Sequence, residues 1–308
     1  APPIIGFIES NLKRMTTASR AMGLPLSTHM VRPEFDQTFW VNIIGRGYPS
    51  PTLTFRWCTD RMKINPANKF ILERVSEHGE VIMVLGTRRS ESATRAQSMA
   101  LHEIEGTFLK RHSSLPNAFV YAPIEFLTTN EVWIYLQQVE SPWGGDNKAL
   151  VSLYKSAQAG ECPLVVDKTT PSCGNSRFGC WTCTVVERDK SMESMVENGE
   201  EWMLPLLEFR DWLKEIREPD KGFRSYKRRG GGTYFKQDGT RGVGPFTLES
   251  RKEILRRLLS MQKDIPHPLI HAEELRQINR CWLQDGDWDN SVQSILDSFG
   301  LKFEDLDL

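Results

Sequence analysis

The apolar positions of the first 136 residues switch between helical and strand-like spacing. "GFIESNLKRMTTASRAMG" reads as an amphipathic helix closed by Gly23. "LSTHMV", "EVIMVLG" and "AFVYAPI" are short apolar runs that read as strands. "TTNEVWIYLQQV" opens with Thr128 three residues before Glu131, the reciprocal capping pattern, and sets Val132, Leu136 and Val139 on one helical face. Strand–helix alternation of this kind predicts an α/β core with a parallel sheet.

Beyond that the texture changes. The stretch from 141 to 200 is rich in Gly, Pro, Ser and Cys, and a helix, "KALVSLYKSAQAG", runs straight into Cys162. Helical spacing returns in "EEWMLPLLEFRDWLKEI" and "TLESRKEILRRLLSMQK", with a basic, glycine-rich insert between them. The acidic tail "FEDLDL" is expected to fray. These textures predict an α/β core over 1–140, a cysteine-loop region over 141–200 and a mostly helical region over 201–308.

Composition adds boundaries. The chain is 39% apolar and 26% charged with a formal net charge of −1, so overall charge selects no partner and any nucleic-acid surface has to be local. No apolar run approaches the roughly 18 residues of a membrane span, and "APPIIGFIES" lacks the basic start of a secretion signal. The expected location is the cytoplasm, without membrane contact, where thiols stay reduced and clustered cysteines read as metal or redox sites.

Four of the six cysteines, Cys162, Cys173, Cys180 and Cys183, follow the pattern C-x10-C-x6-C-x2-C. Three readings stay open at this point. They are inert buried thiols, a structural zinc site, and an iron–sulfur cluster, which tolerates uneven spacing best. Zinc ribbons usually pair two short knuckles, and only Cys180–Cys183 forms one here.

Two stretches concentrate cations. "GTRRSESATR" follows the strand "VIMVL", so Gly86, Arg88, Arg89, Glu91, Ser92 and Arg95 fall at a strand's carboxyl end, the edge where open α/β sheets bind ligands. Arginine forks suit phosphate, though the same residues also suit a solvated helix start. In "FRWCTDRMKINP", Arg56, Arg61 and Lys63 surround Cys58 and Thr59. Nearby cations are expected to depress the Cys58 thiol pKa and make it a nucleophile or sulfur carrier. The alternative is a packed cysteine beside Trp57. Cys281 reads as a helix core residue. The insert from Lys221 to Arg241 interleaves Lys227, Arg228, Arg229 and other cations with Phe223, Tyr226, Tyr234 and Phe235, and Asp238-Gly239 suggests a hairpin turn. It reads either as a nucleic-acid contact or as a solvated loop whose aromatics pack on the preceding helix. Arg251, Lys252, Arg256 and Arg257 either extend that patch or face water.

The R-W-C-T-x-x-x-K element and G-x-R-x-x-E-S-x-x-R resemble the phosphoadenosine-phosphosulfate reductase group of ATP pyrophosphatases. "FWVNIIGRGYPSPTLTFRWCTDRMKI", "SPWGGDN" and "SCGNSRFGCWTCTVVERDKSM" are similar to the DndC family of DNA phosphorothioation proteins. The resemblance implies an adenine-nucleotide hydrolase-like fold in an enzyme that replaces a non-bridging phosphate oxygen of DNA with sulfur. ATP with Mg2+ would be a substrate. Implied partners are DNA, a cysteine desulfurase as sulfur donor and the other proteins of the phosphorothioation system. It also implies a 4Fe–4S cluster on Cys162, Cys173, Cys180 and Cys183. Nucleotide and phosphate elements fall on Gly86, Arg88, Glu91, Ser92 and Arg95, and on Arg56, Cys58 and Lys63, with DNA contact at Lys227, Arg228 and Arg229. The S-G-G-K-D-S type of pyrophosphate loop does not occur in these 308 residues. Sulfonucleotide reductases and tRNA thiolases are the neighbouring alternatives; the Cys-Cys tandem and E-C-G-L-H element of the reductases are absent. The reading from outside enzymes is a zinc-stabilised nucleic-acid-binding module.

Overall fold

A computed structural model of the chain describes residues 2–156 and 180–306. In chain order the helices are α1 (Pro2–Ala21), α2 (Trp57–Thr59), α3 (Asn65–His78), α4 (Ala93–Leu101), α5 (Thr129–Gln138), α6 (Asn147–Ser156), α7 (Lys190–Glu197), α8 (Leu204–Ile216), α9 (Leu248–Gln262), α10 (Ala272–Gln284) and α11 (Ser291–Ser298). The strands are β1 (Val81–Val84), β2 (Leu109–Arg111) and β3 (Ala118–Tyr121). Among the described residues no helix is long and apolar enough to cross a membrane. The chain divides into two compact units. One draws on Arg32–Ile64 and the described residues from 180 onward, the other on Pro3–Val31 and the described residues from Asn65 to Ser156.

The unit that contains the strands has a small mixed sheet in the order β1-β3-β2. β1 and β3 run parallel, with Val81 opposite Ala118 and Val84 opposite Tyr121. β2 runs antiparallel to β3, which corrects the expectation of an all-parallel sheet. The reason is the short connection after Arg111, which turns at Asn117 with φ 55° and can only reverse the chain. "LSTHMV" is also corrected: it has no regular secondary structure. Its polar groups bond to α1 instead of a ladder, through Thr28 and Thr16 hydroxyls 2.7 Å apart and through Ser19, which donates to the Leu26 carbonyl. α5 carries the expected capping box, the Glu131 carboxylate accepting from the Thr128 N–H at 2.7 Å. Its buried residue is Trp133, with Val132 and Leu136 only half-buried and Val139 exposed. The Trp133 ring meets Tyr154 of α6 edge-on at 4.9 Å, so the largest side chain sets the buried face.

The other unit is built mostly of helices around a short π-helical segment, Val41–Gly45, whose residues are all buried. Trp282 of α10 donates its indole N–H to the Ile44 carbonyl at 2.7 Å, and Trp40 donates to the Leu269 carbonyl at 2.6 Å. Leu206 and Leu213 of α8, Ile254 and Leu258 of α9, and Leu275 and Ile278 of α10 are fully buried. Of the tail expected to fray, Phe303–Leu306 forms a 3-10 turn with Leu306 buried, and the last two residues lie outside the described ones.

Between α8 and α9 the basic insert forms the expected hairpin. Lys236 N–H bonds to the Thr240 carbonyl at 2.8 Å, and Gly239 turns the chain with φ 77°. Its base is closed where Gly244 N–H donates to the Ser225 carbonyl at 2.6 Å. A Cβ on Gly244 would overlap the Lys227 carbonyl. Gly244→Ala is therefore expected to destabilise the chain by roughly 1–3 kcal/mol, read as a lowered urea midpoint, and to displace Lys227. An unchanged midpoint contradicts the packing described.

Candidate functional site

After β1 the chain turns out of the sheet at Gly86 and enters α4 through a 3-10 turn, Arg89–Glu91. Ser92 caps α4 by accepting from the Arg95 N–H at 3.1 Å. Glu91 lies between two arginines, 3.3 Å from Arg88 Nε and 2.6 Å from Arg95 Nη1. The Arg88 Nη1 atom is buried and has no hydrogen-bond partner among the described residues. An unmatched buried guanidinium N–H is costly unless an anion meets it.

Arg95 and Ser92 line a cavity of 390 Å³ between α4 and the sheet, together with His102, Arg111 and His112, and Leu85, Met99 and Val120 supply apolar wall. His112 Nδ1 accepts from the N–H groups of Ser114 and Leu115, at 3.2 and 3.1 Å, so its proton sits on Nε2. Burial, reinforced by His102, holds its pKa below the ordinary imidazole value. His102 Nδ1 lies 2.8 Å from the Ser98 carbonyl and donates to it. Lys110 also lines the cavity, but its ammonium bonds Glu125 at 2.6 Å, and both side chains are buried. Glu125 further pairs with Arg89, which reaches Glu103. Of the expected phosphate residues, Arg88, Glu91, Ser92 and Arg95 thus come together, and Gly86 supplies the turn. The sequence reading missed His102, Arg111 and His112. The run Lys110-Arg111-His112 was the available signal, and only β2 shows where it points.

Arg56, Cys58 and Lys63 lie in the other unit. Cys58 sits on the single turn α2, behind Trp57, whose ring stacks on Phe39 at 5.6 Å. Arg56 and Lys63 are exposed. Cys180 and Cys183 belong to the same unit and share a tight turn, Cys183 N–H donating to the Cys180 carbonyl at 2.9 Å. Trp181, between them, packs against Trp40 and Phe209 at 5.8 and 6.2 Å. Neither thiol is in a disulfide among the described residues, Cys180 being exposed and Cys183 half-buried. Cys162 and Cys173 lie outside the described residues, and among the described residues no group of three or more His, Cys, Asp or Glu could hold a metal. The expected depression of the Cys58 pKa is corrected. Burial pushes the thiol up, Cys180 and Cys183 push the same way, and Lys63 and Thr59 do not offset them. Cys281 lies on α10, half-buried beside Gly45.

On the hairpin, Arg228 lies over the Tyr234 ring at 4.2 Å and Arg241 over Tyr226 at 4.8 Å. Lys227, Arg228 and Phe235 are exposed. Phe223 instead packs edge-on against Trp212 of α8 at 6.1 Å. Arg229 is exposed too, and also bonds within the protein, donating to the Arg46 carbonyl at 3.2 Å and lying 3.7 Å from Asp285. Arg251 and Lys252 do not extend the patch. Arg251 is buried against Gly45 and Asp285, and Lys252 pairs with Asp287 at 3.3 Å.

The Lys110–Glu125–Arg89 network gives a pH-dependent test. Burial raises the Glu125 pKa, but Lys110 and Arg89 together prevail and hold it below the ordinary glutamate value. A depressed carboxylate contributes its full stability above that ordinary value, about 4.3, and loses it as pH falls through the folded value. Glu125→Ala should cost roughly 3–5 kcal/mol at pH 7 because Lys110 is left buried without its partner. The gap to the wild type should narrow below about pH 4. Urea melts at the two pH values check this, and a constant gap contradicts it.

Residues 14–186, which take in the sheet, the cavity, Cys58 and the Cys180–Cys183 turn, match the phosphoadenosine phosphosulfate reductase domain. The chain is also similar to an uncharacterized protein of Methanocaldococcus jannaschii, 26% identical over 217 residues that cover 67% of this chain and 37% of that protein. It thus spans little more than a third of the length of the curated relative it matches. No solved structure matches. The domain match covers more than half of the sequence and places it in a nucleotide-binding superfamily, with which a mixed α/β unit holding a basic cavity after a parallel strand is consistent. The chain belongs to the phosphoadenosine phosphosulfate reductase domain family.

Proposed function

We propose that the chain is the ATP pyrophosphatase-like part of a DNA phosphorothioation enzyme of the DndC type. The observation that carries this reading is that one compact unit contains Cys58, Cys180, Cys183 and the cation–aromatic hairpin, so thiol chemistry and a polyanion surface occupy the same body. A sulfonucleotide reductase has no need of the second.

In this reading ATP, as its Mg2+ complex, adenylates a DNA backbone phosphate and pyrophosphate leaves. A persulfide derived from a cysteine desulfurase then attacks phosphorus, and AMP departs with the former non-bridging oxygen. A second thiolate breaks the S–S bond, which leaves the phosphorothioate and a disulfide. Arg95 and Arg111, which line the cavity, offer N–H groups to the nucleotide's phosphate oxygens as charge develops. His112 Nε2–H adds a neutral donor. Cys58 is the candidate carrier, with Arg56 and Lys63 beside it in sequence for the phosphate. Because burial raises the Cys58 pKa, its thiol has to be ionised before it can take sulfur from a persulfide. The described half of the four-cysteine set fits a 4Fe–4S cluster, since Cys180 and Cys183 present two free thiols from one turn. A cluster bound there supplies one-electron chemistry near Cys58.

The test supplies the protein with a cysteine desulfurase, ATP, Mg2+ and duplex DNA, and follows pyrophosphate release and phosphorothioate linkages by mass spectrometry of nuclease digests. Arg95→Ala and Arg111→Ala should each lower pyrophosphate release by roughly 100-fold. Lys227→Gln with Arg228→Gln should flatten the plot of log DNA affinity against log salt by about 0.9 per lost contact, whereas Arg229→Gln should leave the slope nearly unchanged. Sulfite release from a phosphosulfate nucleotide, or sulfur found in tRNA and not in DNA, contradicts the reading.

A further inference from the structure

The segment that leaves Cys183 has no regular secondary structure until α7 begins at Lys190, yet its carbonyl groups are not left to water. Arg210 of α8 is fully buried. Its Nε donates to the Cys183 carbonyl at 2.9 Å, its Nη1 to the Glu187 carbonyl at 3.1 Å, and its Nη2 to the Val186 carbonyl. Its acidic partner, Asp211, is the next residue and half exposed, so most of this guanidinium's bonds go to the backbone of the cysteine segment.

Seven residues on, Arg217 continues the same role. Its Nη1 donates to the Thr184 carbonyl at 2.9 Å and to the Pro51 carbonyl at 2.6 Å. The Thr184 hydroxyl reaches the same Pro51 carbonyl at 2.8 Å, and Trp57 donates to the Pro49 carbonyl at 3.0 Å. The stretch leading into Cys58 and the stretch leaving Cys183 therefore share one guanidinium.

We propose that Arg210 and Arg217 are positioning residues that hold the Cys180–Cys183 turn on α8 and beside Cys58. Groups that bond to the backbone of ligand-bearing turns commonly set how well the ligands are aimed, and a buried cation beside a metal–sulfur centre stabilises its reduced, more negative form. The metal part of the proposal rests on the cluster reading above; the positioning of the dithiol does not.

The experiment separates the two. In the metal-free full chain, with Cys58, Cys162, Cys173 and Cys281 replaced by Ser, the affinity of phenylarsine oxide reports whether the two remaining thiols are held for a common atom. Arg210→Met should weaken it by roughly 10- to 100-fold, and Arg217→Gln should weaken it in the same direction. In the otherwise native chain, purified without oxygen, Arg210→Met should lower iron retention and the midpoint potential of the remaining cluster. Arg210→Lys should restore the potential but not the full retention, because it returns the charge without the fork. Circular dichroism melts establish folding, and if Arg210→Met does not fold, Arg217→Gln decides. Wild-type arsenical affinity in a folded variant overturns the proposal, whatever the iron content. Weakened arsenical binding with no iron in the wild type supports the positioning and removes the cluster reading instead.

Discussion

Buried guanidinium groups bonded to backbone carbonyls hold the irregular parts of the helical unit in place. An irregular segment packed against helices presents carbonyl oxygens that must be met by a donor, and arginine offers five N–H groups in a fixed fork. Arg210 meets the carbonyls after Cys183, and Arg217 joins Thr184 to Pro51. Arg224 closes the hairpin base through Gly244 and Val243 at 2.8 and 3.0 Å, and Arg251 reaches Gly45 beside the buried π-helical segment. Without these bonds the cysteine turn, the hairpin and the segment before Cys58 would each have orphaned carbonyls.

This constraint divides the arginines into two populations with different chemistry. Those bonded to carbonyls are part of the scaffold, and removing one exposes several unmet acceptors at once. Those that remain near a surface, Arg95 and Arg111 at the cavity and Arg228 and Arg241 over tyrosine rings, keep N–H groups or a charged face directed outward. The second population carries the proposed phosphate chemistry. Arg88 is intermediate: its Nε holds Glu91 while its buried Nη1 has no partner among the described residues.

The same division explains what the sequence could and could not reveal. Elements fixed by local periodicity and caps were legible: α1, α5, α8, α9 and the strands β1 and β3 lie where the apolar pattern puts them. Thr128 and Glu131 form their box because all its atoms lie within one turn. "LSTHMV" misled because a strand exists only with a partner, and its polar side chains found α1 instead. β2 was hidden in "LKR", where two of three residues are basic. Arginine is written the same way whether it meets solvent, phosphate or a carbonyl, so Arg251 looked like a surface cation until its partners were known. The C-x2-C step was legible as a shared-centre pair, while the arrival of Cys58 within electrostatic reach of it depended on long-range packing of Trp57 and Trp181 around Phe39, Trp40 and Phe209.

The proposed function requires a metal–sulfur centre on Cys162, Cys173, Cys180 and Cys183. Iron, labile sulfide and zinc are measured in the anaerobically purified chain, with Mössbauer spectra of iron-57-enriched protein. The expected result is a brown protein with about four irons and about four sulfides per chain and the spectrum of a cubane cluster. A colourless protein with one stoichiometric zinc and no sulfide contradicts it.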